Sequence, residues 1–149
     1  MGNYQASIGQ SNCIIASPGY YVDGTAATFQ TACPTGTYNP YPQSTACTDA
    51  DAGHYVENPG SSSQNQCIPG YYQPQHGQDS CLEADPGHFV RTWASTSQIP
   101  APLDHYVNQQ STDYIACPPN YITLELGSGS PNDCQLDSDF DRIPNHMDN

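Results

Sequence analysis

Two groups of residues in this chain carry side chains and spacings suited to chemistry: its cysteines and an acidic run at the C-terminal end. The cysteines are Cys13, Cys33, Cys47, Cys67, Cys81, Cys117 and Cys134. Thiols pair as disulfides in oxidising compartments, or bind soft metals and do redox work in reducing ones. Cys-x-x-Cys is absent, which removes zinc-ribbon and thioredoxin-like chemistry and leaves crosslinking. The second group runs from Asp137 to Asn149. Asp137, Asp139, Asp141, Asn145 and Asp148 stand at positions 1, 3, 5, 9 and 12 of a window whose position 7, Ile143, would add a backbone carbonyl. Oxygens at that spacing wrap one hard Ca²⁺ ion as the loop curls. Arg142 replaces the turn glycine at a position that favours φ > 0, and Asn145 removes one charge. The competing reading is a solvated acidic tail in which Arg142 merely pairs with a neighbour.

Composition narrows what can position these groups. The 149 residues carry 15 Asp+Glu against two cations, Arg91 and Arg142, for a net charge of −13. Nucleic-acid and anionic-membrane binding both need clustered Lys/Arg, so neither is expected. No apolar run reaches the roughly 20 residues of a membrane helix. Met1-Gly2-Asn3-Tyr4-Gln5 has neither the basic nor the apolar region of a secretory leader. Leu, Ile, Val and Phe number only 20, too few for an ordinary aliphatic core. The chain is therefore either disordered or held by crosslinks and its 11 tyrosines.

Self-comparison decides between these. Pro18-Gly19-Tyr20-Tyr21-Val22 recurs as Ala52-Gly53-His54-Tyr55-Val56 and again as Pro86-Gly87-His88-Phe89-Val90, at equal intervals. Gln30, Gln64 and Gln98 keep the same 34-residue period, as do Cys33 and Cys67. Each repeat has a long half with the Gly-aromatic box and a short half from Cys33 to Cys47 or from Cys67 to Cys81. A longer, degenerate short half runs from Cys117 to Cys134. The organisation expected is cysteine-rich repeats over 1–134 (a partial unit at 1–13, then 14–47, 48–81 and a degenerate 82–134), followed by an acidic calcium loop at 135–149. Residues 2–13 overlay the end of a short half whose first cysteine would precede Met1. The chain therefore reads as a piece of a longer protein, which accounts for the odd cysteine.

Between Cys81 and Cys117 two boxes stand in tandem, at Gly87–Val90 and Asp104–Val107. A short half is missing between them, together with both its cysteines, and cysteines lost together are most simply partners. That favours Cys33–Cys47, Cys67–Cys81 and Cys117–Cys134, with Cys13 unpaired or joined to a partner outside the chain. The alternative crosses the long halves: Cys13–Cys33, Cys47–Cys67 and an irregular Cys81–Cys117. Closing a loop of about 15 residues contributes roughly 3 kcal/mol. Three such bridges approach the total stability of about 5–15 kcal/mol of a typical domain.

Pro and Gly interrupt the chain every few residues, so long helices are not expected. Tyr20–Val22, His54–Val56, Phe89–Val90 and Tyr121–Leu124 suit short strands. The fold class expected is small and disulfide-rich, mostly irregular with short β-hairpins and little helix, arranged as an elongated tandem-repeat rod. His54 and His88 share a repeat position with Tyr20, which predicts aromatic stacking between repeats. Trp93 is expected to pack, the alternative being an exposed aromatic that serves a partner contact.

The short-half pattern Cys-x-x-Gly-[Thr/Tyr]-Tyr-x-Pro…Cys resembles ephrin-receptor-like and tumour-necrosis-factor-receptor-like cysteine-rich modules. Its alternation with Ala-Asp-x-Gly-His-Tyr-Val boxes is similar to giant acidic repetitive surface proteins of planktonic microbes. The acidic end is similar to the thrombospondin type 3 repeat. Together these resemblances imply secretion or a cell-surface location, an extended surface architecture and no catalytic residues. This chain departs from them in carrying one bridge per short half and in the eroded region 91–117.

No Gly-x-Ser-x-Gly, His-Glu-x-x-His or phosphate-cradling loop is present, so an enzyme is not expected. The function expected is that of a structural extracellular segment that self-associates into a stalk, fibril or filament, with Ca²⁺ at its acidic end. O-glycans on Ser/Thr-rich stretches such as Ser61–Ser63 are compatible with such a surface. The alternative is a ligand-binding ectodomain, adhesin or receptor-like, which would use residues 91–117.

Overall fold

The computed structural model describes residues 1–7, 12–139, 141–145 and 147. Among them are eight two-stranded antiparallel hairpins, three disulfides, one 3₁₀ turn at Pro131–Asp133 and no α-helix. Every strand is two residues long, as frequent Pro and Gly punctuation dictates. The hairpins, numbered in chain order, are β1–β2 (Asn3–Tyr4, Ile14–Ile15), β3–β4 (Tyr20–Tyr21, Thr31–Ala32), β5–β6 (Thr37–Tyr38, Thr48–Asp49) and β7–β8 (His54–Tyr55, Asn65–Gln66). They continue with β9–β10 (Tyr71–Tyr72, Leu82–Glu83), β11–β12 (His88–Phe89, Ile99–Pro100), β13–β14 (His105–Tyr106, Ile115–Ala116) and β15–β16 (Tyr121–Ile122, Gln135–Leu136).

The first strands begin at Asn3, Tyr20, Thr37, His54, Tyr71, His88, His105 and Tyr121, evenly spaced except for a last step that is one shorter. A hairpin thus recurs every half repeat, and both halves of the 34-residue repeat are the same structural unit. An isolated hairpin of two-residue strands would not persist in water, so these survive through what they bond to on either side. The residue after each second strand closes its hairpin: the Cys33 amide donates to the Gly19 carbonyl at 2.9 Å, and Ala50 donates to Gly36 at 2.8 Å. Other bonds reach the next hairpin, such as Gly19 N–H to the Asn39 carbonyl and Val22 N–H to Ser44. A third set skips one hairpin, as when Gly60 N–H donates to the Cys33 carbonyl at 2.8 Å. That skip spans one full repeat.

Among the described residues, all those with positive φ except Arg142 fall into two columns of this frame. One column precedes the first strand (Gly2, Gly19, Gly36, Gly53, Gly70, Gly87, Asp104, Asn120). The other lies in the hairpin loop (Ala26, Gln43, Gly60, Gly77, Ala94, Gln110, Gly127). Glycine is required in the first column where a loop arrives from two hairpins on. A Cβ at Gly19 would lie 2.0 Å from the Gly60 carbonyl oxygen, and one at Gly87 would lie 1.8 Å from that of Gly127.

The core is correspondingly narrow and also two columns wide. The closing residues Ala16, Cys33, Ala50, Cys67, Ala84 and Ala101 are buried. So are the residues after the first strands of hairpins 2 to 8: Val22, Asn39, Val56, Gln73, Val90, Val107 and Thr123. The buried amides are satisfied: Asn39 donates to the Tyr20 carbonyl and accepts from Ser44 and Tyr41, while Gln73 donates to the Ser80 carbonyl and accepts from Gln75. The chain divides into two compact units, Met1–Cys67 with Gln73–Cys81, and Ile68–Tyr72 with Leu82–Asn149. No helix among the described residues is long and apolar enough to cross a membrane.

Two packing expectations are corrected. Tyr20, His54 and His88 make no ring contact with one another; the ring pairs among the described residues are Phe89–Tyr114 and His105–Tyr114. Tyr20 and His88 instead reach glycines two hairpins on, within 3.5 Å and 3.8 Å of where a Cβ on Gly60 and Gly127 would stand. Rings can lie there because the loop column is left-handed and side-chain-free at those positions. Trp93 does not pack: it stands in the loop of hairpin 6, away from both buried columns, and is 61% exposed.

Candidate metal centre and the joints that position it

Besides the backbone bonds, a side-chain tie joins successive hairpins where the residue before the second strand meets the preceding hairpin's closing residue or the one just after it. The tie comes in several chemistries. In hairpins 3, 5 and 8 it is a disulfide: Cys33–Cys47, Cys67–Cys81 and Cys117–Cys134, with Cα–Cα distances of 5.7, 5.9 and 5.7 Å. Cys13 holds the corresponding place in hairpin 1 and is free and exposed.

In hairpins 2, 4 and 6 glutamine takes the cysteine's place. Gln30, Gln64 and Gln98 accept, through Oε1, the backbone N–H of Ser17, Asp51 and Asp85 at 2.8, 2.7 and 2.8 Å. Gln64 and Gln98 return a bond from Nε2 to the carboxylates of Asp51 and Asp85. The clasp needs a small closing residue and a free N–H just after it, which explains the Ala-Ser and Ala-Asp pairs at these sites. Sequence reasoning registered the glutamine period but missed its role, because the bond joins residues 13 apart through a turn.

Hairpin 7 has neither tie. Its residue before the second strand is Tyr114, and the preceding closing pair is Ala101-Pro102. Proline has no N–H to donate. Tyr114 instead packs edge-on against Phe89 (centroids 5.5 Å apart) and His105 (4.6 Å). The Arg91 guanidinium lies over both Phe89 and Tyr114, 4.7 and 4.9 Å from the ring centroids. It also pairs with Asp113 at 2.5 Å. That hydrogen bond, with a second from the Tyr114 N–H, holds Asp113 below the usual carboxylate range. The same pair holds Arg91 above its ordinary value.

The acidic segment follows hairpin 8. Asp137 occupies the closing position, its amide donating to the Asn120 carbonyl at 2.8 Å. Where the other buried closing residues are Ala or Cys, this one is a carboxylate only 2% exposed. Its Oδ2 accepts the Arg142 N–H at 3.0 Å, whereas its buried Oδ1 has no hydrogen-bond partner. An orphaned buried carboxylate oxygen is costly unless a cation or proton satisfies it.

Carboxylate oxygens of Asp137, Asp139 and Asp141 lie within 4.8 Å of one another, close enough to hold one metal ion. This donor set is all oxygen and suits a hard cation. The remaining expected ligands are placed differently. Asn145 clasps Ser138, with Oδ1 accepting its N–H at 3.0 Å and Nδ2 donating to its hydroxyl at 2.8 Å. That is the glutamine clasp in shortened form, on the residue just after the closing position. Ile143 donates its N–H to Asp141 at 2.7 Å, and Asp148 lies outside the described residues.

Arg142 adopts φ 67°, in the left-handed region that its glycine-like position called for. Its guanidinium pairs with Asp104 through two contacts of 3.2 Å. Asp104 stands in the column elsewhere held by glycine. The Asn145–Ser138 clasp thus stands where a further hairpin would carry its tie. No protein-family model matches the chain, and no curated protein matches it.

Proposed function

We propose that this chain is a structural segment of an extracellular protein: a scaffold of stapled hairpins that self-associates into a surface stalk or filament, and not an enzyme. One observation carries the reading. The three disulfides, Arg91 and the clasping glutamines serve joints between hairpins, and Arg142 ties the segment after hairpin 8 back to Asp104, which leaves the frame itself as the product of the chemistry. Disulfides persist in oxidising surroundings, and a net charge of −13 keeps such material soluble until counterions screen it. A repeating frame in which hairpins bond to their neighbours favours head-to-tail, non-closing contacts between copies. The resemblance to acidic repetitive surface proteins points the same way. Electron microscopy of the purified, oxidised chain tests the assembly: filaments with a regular axial repeat are expected. A monodisperse monomer at every concentration and Ca²⁺ level would leave the ligand-binding ectodomain as the better account.

Within this scaffold the Asp137–Asp139–Asp141 cluster is a Ca²⁺ site that neutralises the buried carboxylate and settles the C-terminal segment. Ca²⁺ accepts irregular oxygen shells, whereas Mg²⁺ demands a near-octahedral one, so the cluster suits the former. Calorimetry with Ca²⁺ tests this on the wild type and on Asp137→Ala. Alanine is the residue at this frame position in Ala16, Ala50, Ala84 and Ala101, each 0% exposed. The variant is therefore expected to lose Ca²⁺ binding while keeping or raising its metal-free thermal midpoint. Retained binding in Asp137→Ala, or no wild-type heat up to about millimolar Ca²⁺, the weak end for extracellular modules, removes the ion from the account.

A further inference from the structure

The joint between hairpins 6 and 7 stands apart from every other tie in the chain. At the frame positions where Cys33 meets Cys47 and Cys67 meets Cys81, it has Ala101 and Tyr114. At the positions where Gln64 clasps Asp51 N–H, it has Tyr114 and the N–H-less Pro102. The loop of hairpin 7 is one residue shorter than those of hairpins 2 to 6. That shortening moves the acceptor for Val90 N–H to the Ser111 carbonyl, one place nearer along the chain than the Gln78 carbonyl is to Val56 N–H. What remains is a small apolar cluster of Phe89, Ala101 and Val107, capped by Tyr114, His105 and the Arg91–Asp113 pair. The ion pair is roughly half-exposed on both sides, so water and salt reach it and its contribution is modest. Between Cys81 and Cys117 no covalent crosslink limits how far the chain can open.

We infer that this joint yields before the disulfide-tied ones: hairpins 6 and 7 part from each other before any bridged pair does, and the aromatic–arginine clamp re-closes them. A disulfide caps the excursion of its hairpins however often the backbone bonds break, because the covalent loop cannot widen. The clamp sets no such limit: its apolar cluster can part and re-form, and its Arg91–Asp113 pair is open to water, so an opening here costs only non-covalent contacts. Under tension or thermal agitation the chain would lengthen here reversibly, with the bridged pairs intact.

Residue-resolved amide exchange on the oxidised chain tests the inference. Val56 and Val90 are both 1% exposed, and their amides make equivalent bonds of 3.0 and 3.1 Å to the next hairpin. The Val56 bond spans the hairpin pair that Cys67–Cys81 ties, and the Val90 bond spans the pair that the clamp ties. Val90 is expected to exchange about tenfold faster or more, on the scale by which local openings differ within one domain. Ala101→Cys/Tyr114→Cys is expected to form a disulfide, seen in the intact mass as loss of both thiol hydrogens, and to bring Val90 down to the Val56 rate. If that variant misfolds, Arg91→Gln reads the same clamp in the other direction and is expected to widen the gap. Equal rates in the wild type overturn the inference, as does a gap unchanged by the new crosslink or by loss of Arg91.

Discussion

Hairpins 4 and 5 and hairpins 6 and 7 solve one packing problem with different chemistry. Each pair buries a valine after its first strand, Val56 or Val90, and bonds that valine's N–H to the following hairpin. The first pair is locked by Cys67–Cys81. The second is held by Phe89, His105 and Tyr114 under Arg91 and Asp113. The backbone frame is thus indifferent to what ties it. Its requirements are a small buried closing residue and a left-handed position ahead of the first strand. The choice of tie governs how much opening the frame tolerates.

The largest effect is expected where the two pairs are alike. Gly87→Ala would cost about 1–2 kcal/mol for the left-handed backbone alone. It would also drive a methyl into the Gly127 carbonyl, for a total of about 3 kcal/mol or more. Denaturant unfolding of the variant measures this, and a loss below about 1 kcal/mol, within the ordinary spread of point substitutions, would mean that the frame does not depend on this column. Next comes Cys67→Ala/Cys81→Ala, expected to cost roughly 3 kcal/mol for a loop of this size and to raise Val56 exchange to the Val90 rate or beyond. If Val56 stays protected, the bridge is not what separates the two joints.

The smallest effect is expected from Asp113→Asn. Asp113 lies below the usual carboxylate range because it accepts from Arg91. A depressed carboxylate stabilises the fold above its ordinary value of about 4, and that contribution is lost as pH falls through the lower folded value. The variant should therefore melt slightly below wild type near neutrality, and the two curves should converge in acid. A difference that persists in acid would assign the clamp to ring packing instead of charge.

Much of this was legible in the residues because the physics of short hairpins is local. The two-residue strands followed from aromatic and β-branched islands between Pro and Gly. The glycine that recurs ahead of most boxes was legible as part of the repeat, though its left-handed backbone was not. The acidic segment was legible as a ligand spacing, and three of its carboxylates do converge. Less legible was everything decided by contacts between hairpins. The repeat hid a frame of half its length, because Ala/Gln and Cys/Cys ties alternate along identical backbone units. Arg142 looked like a misfit in a calcium loop until Asp104, far earlier in the chain, came into contact with it. Asn145, read as a ligand, also clasps Ser138, a contact that its spacing did not announce.

The sequence by itself determined the kind of protein this is: too poor in aliphatics for a conventional core, punctuated too often for helices, and regular enough in its cysteines to be crosslinked. Those properties reside in composition and spacing, which act along the chain. Only the tertiary structure decided which residue ties which hairpin, that Tyr114 stands where a cysteine or glutamine would, and that Asp137 is buried in an alanine's place. The reason is that each tie joins hairpins across a turn, between side chains whose types differ from joint to joint. Their equivalence becomes visible only when the shared backbone frame superimposes them.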